Sequence, residues 1–324
     1  MDTSTHVLTG VGLAGLSLLD PTVSSHPELL ASMLFCTILG SNAPDIDFIY
    51  RFKGNNVYLQ KHRGMSHSLY SQLLLALTIA VIAAIGNGGK YFLTFLMWTL
   101  LAVILHVIFD ICNIYGTQAF RPFTQKWFAL NLLPIIDPFI SALHVGGIIF
   151  WFAGFSPRII FLFVYIIILI YIFLRYLSQL RVKKVLLRLR ESGVSYTLLP
   201  TSSLYRWGIV ASFQHHYKLG KYEFNRITWS KVLMKASDYN EIIASSKKHV
   251  FVNYLRMHTD YLHAKVLKIK DGYVVQWFDL RYQSKFDEPF VLIVKLDEEL
   301  NLIHCEVKRG LIAVPEKIEA VEKL

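Results

Sequence analysis

Apolar and polar positions fall into two regimes along the chain. Up to about Leu174, long apolar runs alternate with short polar breaks; beyond Arg175 the runs shorten to strand length. Thr5 to Leu19 and Leu29 to Leu39 come first, separated by Asp20-Pro21 and the polar patch Ser24-Ser25-His26-Pro27. Each predicts a helix of about 15 residues, roughly 22 Å at 1.5 Å per residue, so together they form a short or partly inserted hairpin. No lysine or arginine precedes Thr5 to Leu19 and no small-residue cleavage site follows, so it reads as a retained helix. Four stronger runs follow: Leu69 to Ile85, Tyr91 to Cys112, Leu132 to Phe155 and Ile159 to Leu174. Each is long enough, or nearly so, to cross a hydrocarbon layer of about 30 Å.

Past the last run, Leu177 to Glu191 predicts a basic helix. Tyr205 to His216, Tyr222 to Thr228, Leu262 to Ile269, Tyr273 to Tyr282, Phe290 to Leu296 and Leu302 to Val307 predict strands, and Asp238 to Met257 a helix. Lys270-Asp271-Gly272 signals a hairpin turn. The fold class expected is an α-helical multi-pass membrane bundle, four spans plus an N-terminal helical hairpin, followed by a small α+β soluble domain. Residues 1–176 form the first domain and 177–324 the second.

Composition sharpens this division. Of 324 residues, 54% are hydrophobic, too many for an ordinary soluble protein. Between Gly64 and Leu174 the charged residues are Lys90, Asp110, Arg121, Lys126, Asp137 and Arg158 alone. The net charge is +10, and much of it lies just after the last apolar run, at Arg175, Arg181, Lys183, Lys184, Arg188 and Arg190. Such clusters favour the cytoplasmic side and anionic lipid. Nucleic acid is disfavoured as a partner, because no helix-turn-helix or zinc-finger pattern accompanies the charge. Cys36, Cys112 and Cys305 are widely spaced and form neither a disulfide framework nor a cysteine metal motif.

Charge also orients the spans. The longer connections, Tyr50 to Ser68 and Asn113 to Asn131, carry Arg51, Lys53, Lys61, Arg63, Arg121 and Lys126, which places them in the cytoplasm. By parity the N-terminus and everything after Arg175 lie inside as well. His6, Asp45, Asp47, His62, His67, His106, Asp110 and Asp137 then gather toward one face, and His26 falls on the other.

Those residues carry the candidate chemistry. A carboxylate at the end of an apolar segment is costly unless paired or bound to a cation, and Asn42-Ala-Pro-Asp-Ile-Asp47 delivers two. Pro44 stops the preceding helix. His106 and Asp110 are four apart in a helical span and share a face; a mutual hydrogen bond within the bundle is the plainer reading. His62 and His67 flank Arg63 and Gly64, and Ser66 is read as the cap of the helix beginning near His67. Four histidines and four aspartates exceed what one tetrahedral zinc ion needs, which implies two or more divalent metals: zinc, with manganese or iron as alternatives. Two-metal sites suit phosphoester hydrolysis. Arg63 is then the candidate for a phosphoryl oxygen, and Asp47 or Asp137 for orienting water.

Thr5-His6, Pro44-Asp45-Ile46-Asp47, His62-Arg63-Gly64-Met65-Ser66-His67-Ser68 and His106-x-x-x-Asp110 together resemble the YdjM-like family of predicted inner-membrane metal-dependent hydrolases. Tyr115-Gly116-Thr117 and Pro122-Phe123 fit as well, whereas Met65 stands where that pattern usually has threonine. The resemblance covers about the first half of the chain. A similar order of elements occurs in zinc-dependent phospholipase C, which implies phosphoester substrates, lipid ones among them. The expected function is therefore a metal-dependent hydrolase acting on a lipid or amphiphilic phosphoester at the cytoplasmic face of the cell membrane. The alternative is a non-catalytic metal-binding sensor or regulator. The soluble domain carries no signal for its protein partner.

Overall fold

The computed structural model describes residues 1–53, 57–58, 61–189, 191–235, 241–259, 261–282 and 290–309. They divide into two compact units. The first comprises Met1–Lys53, Val57–Arg188 and Leu199–Trp207; the second comprises Leu189–Leu198 and the chain from Gly208 on.

The first unit is helical: α1 (Thr3–Leu16), α2 (Pro21–Ser25), α3 (Leu29–Asn42), α4 (Leu69–Gly86), α5 (Phe92–Cys112), α6 (Pro138–Phe152) and α7 (Pro157–Leu187). Helix α1 packs on α3, α6 and α7, and α3 also packs on α4 and α5. Gly10 makes the α1–α3 approach possible: a Cβ there would lie 2.6 Å from Ile38 Cα. Outward faces stay apolar, with Ile82, Ile85, Leu93, Met97, Phe163 and Leu169 exposed, as in helices that meet lipid.

Four helical segments are long and apolar enough to cross a membrane: Leu29–Lys53, Leu69–Gly86, Phe92–Cys112 and Pro157–Leu187. This differs from the sequence-based set in two places. Leu132 to Phe155 is not one span: Asp137 caps α6, which has only 15 residues, and the chain before it is irregular. The run from Leu29 is longer than expected. Pro44 ends the α-helix, yet the chain continues as a 3-10 helix from Ala43 to Lys53. Proline fits there because the first turn of a helix has no use for its missing amide hydrogen.

Arg175 also departs from expectation. Rather than joining the lipid-facing basic cluster, it is buried in α7. Its Nε donates to Leu132 O, its Nη1 donates to Thr201 O and Ser203 O, and the guanidinium sits 4.8 Å from the Trp207 ring centre. That clamp explains why Leu199–Trp207 belongs to the helical unit. Arg190 lies outside the described residues.

The second unit is α+β. Two four-stranded sheets have orders β1-β2-β3-β4 and β5-β6-β7-β8. The strands are β1 (Ser195–Pro200), β2 (Trp207–Ser212), β3 (His216–Glu223), β4 (Arg226–Met234), β5 (Leu262–Ile269), β6 (Gly272–Asp279), β7 (Phe290–Leu296) and β8 (Leu302–Arg309). The β5–β6 turn falls at Lys270-Asp271, as the sequence signals. Tyr222 to Thr228 is not one strand: Phe224 and Asn225 adopt positive φ and turn the chain between β3 and β4. Asn225 suits that turn, but Phe224 before it reads as strand and masks it. Strand β1 had no forecast. The single helix expected over Asp238 to Met257 is two, α8 (Glu241–Lys247) and α9 (Val250–His258), because the His249 side chain caps α9 by accepting from the Phe251 amide. Asp238, Tyr239 and Asn240 lie outside the described residues.

Candidate metal centre

Helix α5 is apolar along most of its length, so His106 and Asp110, one turn apart, point inward and are fully buried. The 3-10 segment after α3 supplies Asp45 and Asp47. The loop before α4 supplies His62, Arg63 and His67, and α1 supplies His6.

Four atoms converge. Asp45 Oδ1 lies 3.6 Å from His67 Nε2 and 3.7 Å from His106 Nε2. Asp110 Oδ2 lies 3.3 Å from His67 Nε2 and 3.7 Å from His106 Nε2. The two Nε2 atoms are 3.2 Å apart. Four ligands at about 2.0–2.1 Å from a tetrahedral ion are about 3.3–3.4 Å from each other, so these five separations are those of a tetrahedral donor set.

Proton bookkeeping supports that fit. His106 Nδ1 sits 2.6 Å from the Ser41 carbonyl oxygen, which can only accept, so the proton is on Nδ1 and Nε2 is bare. Ser66 Oγ donates to Asp47 Oδ2 at 2.8 Å and therefore accepts from His67 Nδ1 at 2.9 Å. His67 Nε2 is bare for the same reason. As neutral imidazoles the two rings thus turn lone pairs toward each other, beside two carboxylate oxygens, Asp45 Oδ1 and Asp110 Oδ2, that have no hydrogen-bond partner. Such a buried arrangement is repulsive until a cation fills it.

A second group shares Asp45. One ligand atom each from Asp45, Asp47 and His62 lie within 4.8 Å of one another. Here Asp47 is heavily engaged: it accepts from His62 Nδ1 at 2.8 Å, the Arg63 amide at 2.9 Å and Ser66 Oγ. It orients both loop histidines. His6 stacks on His106 with ring centres 3.8 Å apart, its Nε2 is 3.7 Å from Asp110 Oδ1, and neither of its ring nitrogens has a hydrogen-bond partner.

Arg63 occupies a different place from the one its chemistry suggested. Its backbone lies in the left-handed region, φ 60°, a strained conformation for a residue with a Cβ. That turn aims the amide at Asp47 and the guanidinium at Asp110 Oδ1 (3.1 Å) and Asn113 Oδ1 (3.1 Å). The side chain is buried, with Nη1 on Asn113 and Nη2 on Asp110. The backbone amine of Met1 also pairs with Asp110 Oδ1.

Asp137 stands apart from both groups. Oδ1 accepts from the amides of Phe139 and Ile140, capping α6, and Oδ2 accepts from the Tyr171 hydroxyl at 2.9 Å. Ser66 does not cap α4; Ser68 does, accepting from the Ser71 amide. Sequence reasoning missed Asn113, the Ser41 carbonyl and the Ser66 relay. Only Ser66 carried a visible signal, its position beside His67.

Comparison with known proteins bears on this arrangement. The profile of the YdjM inner membrane protein family matches residues 1–182, the stretch that contains every donor above. The chain belongs to the YdjM family. It is a membrane protein of that family with a donor set able to hold a metal ion. The profile of the YfhP C-terminal alpha/beta plait domain matches residues 241–312. The uncharacterised protein YfhP of Bacillus subtilis (strain 168) is 37% identical over 307 residues, covering 93% of each chain. No solved structure matches the chain. The likeness to zinc-dependent phospholipase C therefore stands on the order of motifs alone.

Proposed function

We propose that this protein is a membrane-bound metal-dependent hydrolase acting on a phosphoester at the cytoplasmic membrane face, with its second unit in the cytoplasm. The observation that carries the reading is the pair of Nε2 atoms of His67 and His106, 3.2 Å apart and flanked by unpartnered oxygens of Asp45 and Asp110. Asp45, His67, His106 and Asp110 would hold the first ion, zinc or manganese by donor chemistry, and Asp45, Asp47 and His62 a second. Ions held there supply Lewis acidity and bring the pKa of water toward neutrality.

The chain's own residues divide the remaining work. Ser41 O and Ser66 Oγ fix the tautomers of His106 and His67. Arg63 and Asn113 hold Asp110 by Oδ1, which leaves Oδ2 facing the centre. Asp45 is the more open carboxylate, 23% exposed against 0% for Asp110, so substrate and water approach from its side.

Elemental analysis of the full chain in mild detergent, together with turnover of a phosphodiester panel, tests the reading. Stoichiometric transition metal and turnover that both vanish in the Asp45→Ala/His106→Ala double variant are expected. Full turnover in that variant overturns the proposal. Bound metal without turnover on any phosphoester overturns the hydrolase and leaves a metal-binding sensor.

A further inference from the structure

The 3-10 segment that carries Asp45 and Asp47 has a second surface. A 3-10 helix repeats every three residues, so side chains at i and i+3 eclipse. One row, Pro44 and Asp47, is buried against the centre. Another row is Ile46, Ile49 and Phe52, three apolar side chains in line and all exposed, Phe52 at 87%. Nothing in the first unit covers that row among the described residues.

Neighbouring loops extend the same surface. Met65 and Tyr70 are exposed beside His67, and Phe123 is 84% exposed. The Leu69 amide donates to Arg121 O, which ties the 120–123 turn to the loop that supplies the histidines. Exposed cations stand among these apolar groups: Arg51, Lys53, Lys61 and Lys126. The only acids in Ala43–Lys53, Lys61–Ser68 and Tyr115–Asn131 are Asp45 and Asp47, both facing the centre. An apolar stripe rimmed by cations, with no exposed acid, matches the acyl edge and anionic headgroups of a leaflet. It also continues directly from α3 (Leu29–Asn42), with which it makes up the apolar Leu29–Lys53 segment.

We propose that Ala43–Lys53 is an interfacial anchor, and that the metal centre behind it takes the phosphate headgroup of an anionic membrane lipid arriving along the bilayer, not a dissolved phosphoester. This rests on the metal-centre reading above. The anchor and the donors share one short helix. Seating Ile46, Ile49 and Phe52 in the acyl edge therefore sets Asp45 at headgroup depth. Arg51, Lys53 and Lys61 then draw the anionic lipid toward it.

The test uses the full chain in nanodiscs. A bimane label is placed at Phe52→Cys in a Cys305→Ser background, where the remaining cysteines, Cys36 and Cys112, are buried. Quenching by acyl-chain spin-labelled lipid, with protection from iodide, is the expected result. Quenching by iodide alone overturns the anchor; quenching by neither means that protein covers the stripe and overturns the lipid assignment. In a second arm the protein is loaded with manganese, and broadening of phosphorus resonances is followed for phosphatidylglycerol in the disc and for glycerol phosphate in solution. The Ile49→Ser/Phe52→Ser variant is expected to raise half-saturation for the lipid about tenfold and to leave glycerol phosphate unchanged. Equal loss for both ligands, or no loss for either, overturns the inference. Metal content measured on the same samples separates the two readings: no metal bound defeats the centre itself, whereas bound metal with an iodide-quenched label defeats only the anchor.

Discussion

Ser66→Ala disturbs the centre while sparing every residue in its donor set. Ser66 Oγ is the middle of a chain running from Asp47 Oδ2, at 2.8 Å, to His67 Nδ1, at 2.9 Å. Without it the closest carboxylate oxygen to Nδ1 is Asp47 Oδ2 at 3.9 Å, beyond hydrogen-bond reach. The imidazole then has two poor choices. Keeping its proton on Nδ1 leaves a buried donor unsatisfied, at about 1–3 kcal/mol. Moving the proton to Nε2 removes a lone pair from the centre. Losses of this outer-shell kind lower metal affinity about 10–100-fold, or about 1.4–2.7 kcal/mol. Asp47 retains its bonds from His62 and the Arg63 amide, so the loop keeps its conformation. Competition against a chromophoric chelator, on the full chain in detergent, measures the affinity of zinc and manganese. Ser66→Thr retains the hydroxyl and is expected to bind as the native chain does. Native affinity in Ser66→Ala would refute the assignment of His67 Nε2 as a donor.

Asp137→Asn tests the separation of Asp137 from the centre. Asparagine keeps the helix cap but has one acceptor oxygen fewer, so the buried bond from Tyr171 is lost, for about 1–2 kcal/mol of stability, with metal content unchanged; thermal unfolding and elemental analysis read the two effects. Gly10→Ala forces α1 from α3 and is expected to cost about 1–3 kcal/mol by overpacking, read as a lower Tm. In the second unit, burial holds His263 below its ordinary pKa of 6.5, against the hydrogen bond it donates to Met234 O. The unfolded chain therefore takes up a proton first as pH falls through 6.5, and the unit loses stability from there down to the depressed folded value. His263→Gln is expected to flatten that part of the pH–Tm profile.

Apolar run length, a local property, made the helical half legible, because a hydrocarbon layer sets a minimum span. It failed at Leu132 to Phe155, where Asp137-Pro138 is a helix-entry signal that the length of the apolar run overrode. The turn at Phe224-Asn225 was overlooked for a different reason: asparagine tolerates positive φ, but the phenylalanine beside it reads as strand.

What the sequence by itself determined is the list of ionisable groups in an apolar half and the periodicity that sets His106 one turn from Asp110. Burying those groups in such a segment is costly without a partner, so their presence alone points to function. The tertiary structure decided which of them meet. It brought Asp45 and His67 to α5, left Asp137 as a cap and turned Arg63 inward onto Asp110. It also fixed which imidazole nitrogens are bare, since a tautomer depends on the acceptor opposite it, and Ser41 O and Ser66 Oγ are placed only by packing.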